Sequence, residues 1–300
     1  MPAWNRAYRA TSKGNRSFGG ERILERRGVF GTGSPRDAAF TSDFLPFREN
    51  SRRADAGTAH AASRAMVAAA RVAATLEKRL AGRRRSDHEA GRKALLVCGV
   101  ASSLLYAVMI WGIRYEGYSL ISQVPSELTA IGAPTRALWA RLGWIYTLLI
   151  SAFGVGAWKS ANGNRAVRIV AGLILAYAAL GLLWPFAAMH QREVLAAGGA
   201  TWSDTGHVVL GGVTVFLMFL AIGFGATAFG TRFRLYSIVT IVVLLLFGGL
   251  TFVEAPRLQM NLPTPWIGLW ERINISVFLL WVVVLAAVLW RPVRTQGEAR

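Results

Sequence analysis

Six apolar stretches between Ala94 and Trp290 constrain this 300-residue chain more than any other feature of its sequence. Each is 17 to 23 residues long and has no Asp, Glu, Lys, Arg or His in its central turns; they are residues 94–113, 142–158, 169–189, 207–229, 235–253 and 273–290. At 1.5 Å per helical residue, each crosses most or all of a ~30 Å hydrocarbon layer. The chain is therefore predicted to be a membrane protein.

Helix is the predicted state of all six stretches. Lipid offers no hydrogen-bond partner to the backbone, so only helices and closed barrels cross it. The stretches lack the apolar and polar alternation over about ten residues that barrel strands need. The predicted fold class is all-α, a polytopic membrane protein whose six transmembrane helices form one bundle over residues 94–291.

Basic residues predict the orientation of this bundle, because Lys and Arg in short loops stay on the cytoplasmic side. They lie before the first stretch and in every second connection after it, at Lys78, Arg79, Arg83, Arg84, Arg85, Arg92, Lys93, Lys159, Arg165, Arg168, Arg232, Arg234, Arg291 and Arg294. The other three loops hold Glu116, Glu127, Glu193, Asp204, Glu254 and Glu271. Both termini are therefore predicted to be cytoplasmic, with these three loops outside.

The formal net charge of +18 suggests a nucleic-acid partner, but the distribution of the charge favours membrane topology. Residues 1–93 carry 20 basic and 9 acidic side chains, and the remainder carries 14 and 7. The run Arg83-Arg84-Arg85 precedes the first stretch, where it anchors the cytoplasmic side and attracts anionic headgroups. Membrane lipids are the expected partners, a second membrane protein is the other candidate, and nucleic acid is not expected.

The first 93 residues are predicted to lie outside the bundle. Residues 1–57 have little apolar periodicity and are predicted to be a disordered basic extension. Residues 58–93 are predicted to form a weakly amphipathic juxtamembrane helix on the cytoplasmic face, with apolar side chains at spacings of three or four. Met66 is an alternative start of the chain, and residues 292–300 are predicted to be a cytoplasmic tail.

The first outer loop contains three candidate ligand-binding residues, Arg114, Ser126 and Glu127. Its apolar side chains predict a short interfacial helix folded onto the bundle, and they are Leu120, Ile121, Val124, Leu128 and Ile131. Ser126 and Glu127 suit the start of that helix, where hydroxyl and carboxylate oxygens accept hydrogen bonds from free N–H groups. A capping role and a ligand-binding role both remain open for them.

Glu271 and Arg272 place an acid and a base at the threshold of the sixth stretch, where lipid replaces water. They are expected either to form a structural ion network with Arg114 or Glu127, or to bind a charged headgroup. We expect Glu127, His207, Glu271 and Arg272 to meet in one outer pocket, because the elements that carry them share one face of the bundle.

A metal site is the alternative interpretation of the same face. His190 ends the third stretch, and Asp204 and His207 lie about one helical turn apart at the start of the fourth. With a glutamate, these three residues have the ligand chemistry for zinc and an activated water, and so for a membrane-embedded hydrolase. The chain lacks the common hydrolase motifs, so a non-catalytic pocket without a cofactor is favoured.

Small residues four apart predict where helices touch in lipid, because they allow close backbone approach. Three such pairs occur, Ala152 with Gly156, Gly172 with Ala176, and Ala221 with Gly225. Pro185 lacks a backbone donor and is expected to kink the third helix.

Several short motifs resemble the bacterial and archaeal six-helix membrane proteins of domain of unknown function 998. They are Ser126-Glu127-Leu128, Gly132-Ala133-Pro134, Gly206-His207 and Gly268-Leu269-Trp270-Glu271-Arg272. Their order and their placement between the helices resemble the family over about residues 94–291. The resemblance implies a multi-pass protein of a bacterial plasma membrane, the inner membrane, and it implies no established activity.

Cysteine labelling tests the predicted topology. Cysteines introduced at positions 123, 197 and 262 should react with an impermeant thiol reagent in intact cells, and those at 162 and 296 should not, because basic loops resist translocation. The reverse labelling pattern would overturn the orientation and the outer pocket.

Overall fold

A computed structural model describes residues 45–291 of the chain. This part is helical and contains no named strand, which confirms the all-α fold class. Two short 3₁₀ helices, Pro125–Thr129 and Trp184–Phe186, accompany seven α-helices: α1 Leu45–Gly112, α2 Arg136–Lys159, α3 Arg165–Gly181, α4 Arg192–Ala196, α5 Trp202–Ala228, α6 Thr231–Gln259 and α7 Ile267–Trp290.

Six of these helices are long and apolar enough to cross a membrane, as predicted. They are all except α4, which has five residues. In α1 the candidate span lies within Ser63–Gly112. The chain is therefore a multi-pass integral membrane protein.

The amino-terminal boundary differs from the prediction. α1 begins at Leu45, so residues 45–57 are helical and the prediction of disorder is wrong for them. Ala and Arg are strong helix formers, and the sequence from Arg52 onward is rich in both. The rest of the predicted extension and the predicted tail, residues 1–44 and 292–300, lie outside the described residues. The described residues divide into two units, residues 45–70 and residues 71–291, and the second contains the bundle.

At one end of the bundle, the helices also begin and end at residues that differ from the boundaries of the predicted apolar stretches. α2, α5 and α7 begin five to six residues earlier than residues 142, 207 and 273, and so include polar residues. α3 instead ends at Gly181, earlier than predicted. Pro185 lies in the following 3₁₀ helix, where N–H groups bond three residues back. Pro185 therefore lies beyond the end of α3 and does not kink it as expected.

Neighbouring helices in the chain pack side by side within the bundle. α3 lies between α2 and α5, and α6 lies between α5 and α7. The core between them is aromatic and aliphatic, with Phe153, Ile222, Phe278 and Trp281 at its centre. The indole N–H of Trp281 donates to the hydroxyl of Ser237 on α6 at 3.0 Å, so this buried donor is satisfied.

Two of the predicted small-residue positions are close contacts between helices. Gly156 of α2 lies against Leu95 of α1, and Gly225 of α5 lies beneath the ring of Trp281. A methyl group at 225 would come within 2.5 Å of that ring, closer than real contacts allow. These glycines set the distance between helices.

Replacement of Gly225 by Ala should destabilise the bundle by about 1 to 3 kcal/mol, since the added methyl overpacks against a fully buried indole. Gly223→Ala is the matched control, because nothing lies within 4 Å of a methyl there. Thermal unfolding of both variants in detergent measures the difference. Equal melting temperatures for the two would contradict the close contact.

Candidate functional site

The functional candidates gather at one end of the bundle, which we call the loop end. It carries the connections at residues 113–135, 187–201 and 260–266. The first connection contains the 3₁₀ helix Pro125–Thr129, whose Leu128 is buried while Ile121 and Ile131 stay exposed. Backbone hydrogen bonds join this connection to its neighbours. The N–H of Ile131 donates to the carbonyl oxygen of Met189, and the N–H of Leu269 in α7 donates to the carbonyl oxygen of Ile121. The loop end is thus an ordered cap on the helices.

Arg272 holds the first connection against α7. Its guanidinium donates to the carbonyl oxygens of Ile110, Leu120, Gln123 and Gly268 at 2.7 to 3.0 Å, and to the hydroxyl of Tyr118 at 2.6 Å. The side chain is completely buried, inside α7 rather than in the loop before it. Among residues 45–291 it has no carboxylate partner within ion-pair distance. Arg272 therefore has a structural role.

Tyr118 shares this arrangement as both donor and acceptor. Its hydroxyl lies 3.0 and 2.8 Å from the carbonyl oxygens of Gln123 and Val124. Burial raises the pKa of Tyr118 above its ordinary value, so the phenol keeps the proton that it donates.

Glu127 forms a buried ion pair with Arg192. Two parallel bonds of 2.7 Å join its carboxylate to the guanidinium, and the N–H of Val124 donates to it at 2.9 Å. The hydrogen bonds from Arg192 to Glu127 raise the pKa of that guanidinium. The capping role therefore belongs to Glu127, while no hydrogen bond from the Ser126 hydroxyl occurs in the described part of the chain. The side chains of Glu127 and Arg192 are thus bonded to each other and have a structural role.

His190 and Asp204 form a second pair between the connection after α3 and the start of α5. The Nδ1 atom of His190 lies 2.8 Å from Oδ2 of Asp204, and the backbone N–H of His190 donates to Oδ1 at 2.7 Å. His190 lies beyond the end of α3, not within it. Asp204 also accepts from the N–H of Thr201, as a helix cap does.

His207 is separate from that pair. Its Nδ1 lies 2.8 Å from the carbonyl oxygen of Ala187 and must donate, because a carbonyl only accepts. Its ring contacts Trp184 edge-on with centroids 5.0 Å apart. Over residues 45–291 no three acidic, His or Cys side chains are grouped to hold a metal ion. The zinc site stays a prediction.

A cavity of about 300 Å³ opens at the loop end, above the last turn of α3. α3 has 17 residues and rises only about 25 Å, so the space between α2 and α5 is unfilled there. The first connection covers the cavity with Ser126 and Thr129, and residues 184, 185, 187 and 188 line its side. Six aromatic residues also line the cavity: Tyr106, Trp139, Trp144, Tyr146, Tyr177 and Trp184.

Two polar groups in the cavity wall have no partner in the described structure. Glu271, one turn into α7, lines the cavity, and within residues 45–291 its carboxylate forms no hydrogen bond or ion pair. The indole N–H of Trp139 is buried and also lacks an acceptor there. The Trp139 nitrogen is inaccessible, so the carboxylate of Glu271 is the unpaired group of the two that remains available to a ligand in the cavity.

The predicted site residues thus fall into three groups. Ser126, His207 and Glu271 line one cavity. Glu127 and Arg272 do not line it and are engaged in structural bonds, and Arg114 is exposed. Trp139 and the other aromatic lining residues were not predicted as site residues, because the sequence does not show which face of a helix an aromatic side chain occupies.

The fold defines the class of this chain as a multi-pass integral membrane protein. A family model described as "Protein of unknown function (DUF998)" matches residues 97–288, and the chain belongs to this family. The match covers α2, α3, α5 and α6 completely, α1 from residue 97 onward, α7 up to residue 288, and all the residues that line the cavity. Comparisons with curated proteins and with solved structures found no match.

Adjacent substitutions in α7 separate structure from function. Arg272→Met should lower the free energy of unfolding by about 3 kcal/mol or more, because it leaves several buried carbonyl oxygens unpaired. Glu271→Gln should change it by less than about 1 kcal/mol, because no partner is lost. Unfolding in detergent, followed by tryptophan fluorescence, measures both. A larger loss for Glu271→Gln than for Arg272→Met would contradict this division.

Proposed function

We propose that this protein binds the headgroup of a membrane lipid in the cavity at the loop end, and that this end faces outside the plasma membrane. The observation that carries the proposal is the carboxylate of Glu271, which lines the cavity and has no bonded partner among the residues that the structure describes. A few polar groups set in an apolar wall are typical of ligand sites. The basic residues at the opposite face support the orientation.

The size and access of the cavity favour a lipid. A volume near 300 Å³ suits a headgroup with part of its glycerol but not two acyl chains. Trp144 of α2 and Val215 of α5 line the cavity and are also 50% and 37% exposed on the side of the bundle. Because both helices would be in contact with lipid at this level, a headgroup enters sideways while its chains stay in the bilayer.

The metal-dependent hydrolase has less support. His190 and Asp204 bind each other, and His207 binds the carbonyl of Ala187 instead of joining them. Only His207 of the three lines the cavity.

A matched pair of glycines tests lipid binding. A side chain at Gly211 would project from the cavity lining, and one at Gly212 would not line the cavity; both positions have open space beyond a methyl. Gly211→Leu should therefore reduce retained lipid at least about tenfold, since loss of a few charge-assisted contacts is worth that much. Gly212→Leu should retain it.

The measurement is native mass spectrometry of protein taken from nanodiscs of equal parts phosphatidylethanolamine, phosphatidylglycerol and phosphatidylcholine. Melting temperatures of both variants should match the unmodified protein. Equal lipid retention by Gly211→Leu and Gly212→Leu would overturn the proposal.

A further inference from the structure

We propose that the headgroup is zwitterionic, with a primary ammonium bound at Glu271 and a phosphate at Arg136, as in an aminophospholipid. This assignment rests on the proposed lipid-binding function and names its ligand class. The assignment rests on the charges, the free hydrogen-bond acceptors and the aromatic lining of the cavity.

The charges of the cavity match a zwitterion. Glu271 is the single acid and Arg136 the single Lys or Arg among the lining residues that the structure describes. Arg136 begins α2 at the loop end and is half-buried, with one long bond of 3.4 Å to the carbonyl of Thr129. Most of its donors remain for a phosphate, which guanidinium groups bind through several oxygens at once.

Acceptors surround the inner part of the cavity. Asn274 lies one helical turn beyond Glu271, is nine-tenths buried and lines the cavity. Its Nδ2 donates to the carbonyl of Leu244 at 2.9 Å, which assigns the amide orientation and leaves Oδ1 as an acceptor. The neutral ring of His207 donates through Nδ1 and so keeps Nε2 as another acceptor.

These groups favour an ammonium with N–H donors over other cations. Glu271, Asn274 and His207 provide three acceptors, and a primary ammonium has three N–H donors. A trimethylated ammonium has none and would leave Asn274 and His207 without partners. The aromatic rings around them attract the cation through their negative faces. A headgroup with an anion and no ammonium would bring a second acidic group into the cavity beside Glu271.

Glu271→Gln tests the assignment, because it keeps the shape of the side chain and removes its charge. Native mass spectrometry compares retention of phosphatidylethanolamine, phosphatidylglycerol and phosphatidylcholine, each supplied alone in nanodiscs. The unmodified protein should retain phosphatidylethanolamine about tenfold better than the other two, and Glu271→Gln should lose this preference. Glu193→Gln is the control, since Glu193 is an exposed acid of the loop end outside the cavity, and it should keep the preference.

The arms of the experiment separate the possible failures. Equal retention of phosphatidylcholine would overturn the primary ammonium, and preferred phosphatidylglycerol would overturn the zwitterion. If soluble phosphoethanolamine displaces the lipid at equal concentration, the source is a free amine and the lipid assignment is wrong. Loss of all lipid in Gly211→Leu without any ethanolamine preference would refute this inference and leave the proposed function standing. Unchanged retention in Gly211→Leu would refute both.

Discussion

The loop end depends on one buried guanidinium. Arg272 gathers carbonyl oxygens from the end of α1, from the first connection and from its own helix, and it does so without a bonded carboxylate in the described chain. A charge removed from water is tolerated only when its donors are satisfied, so these backbone groups must stay in place. The connection also approaches α7 at Gly268, where a methyl would overlap the carbonyl oxygen of Gln123. The roof of the cavity is fixed as a result.

A short helix and a fixed roof together create the cavity. α3 stops at Gly181, and the chain turns through a 3₁₀ helix instead of filling the space between α2 and α5. The Glu127 and Arg192 pair then joins the first connection to α4, while His190 and Asp204 join the next connection to α5. Both pairs lie at the loop end but do not line the cavity, whereas Glu271 lies in the cavity wall. The carboxylates of Glu127 and Asp204 are thus bonded within the protein, while that of Glu271 is left available to a ligand.

The sequence predicted the number, class and approximate positions of the helices, because apolar length is a direct requirement of the bilayer. It did not predict where they end at the loop end, since α2, α5 and α7 continue into polar residues beyond the apolar stretches. Nor did it separate Glu271 from Arg272, which are adjacent in sequence but about 100° apart around a helix and so face different surroundings. The partner of Glu127 lies 65 residues away, beyond the reach of any local pattern.

The Tyr146 and Tyr177 hydroxyls bond to each other at 2.8 Å among the lining residues, and the aromatic core with Phe153, Phe278 and Trp281 packs in the same cluster. Tyr177 also contacts Phe278 directly. These rings close the cavity off from the opposite end of the bundle. If the proposed lipid binds, its headgroup therefore enters and leaves through the side of the bundle near the loop end, where Trp144 and Val215 are exposed.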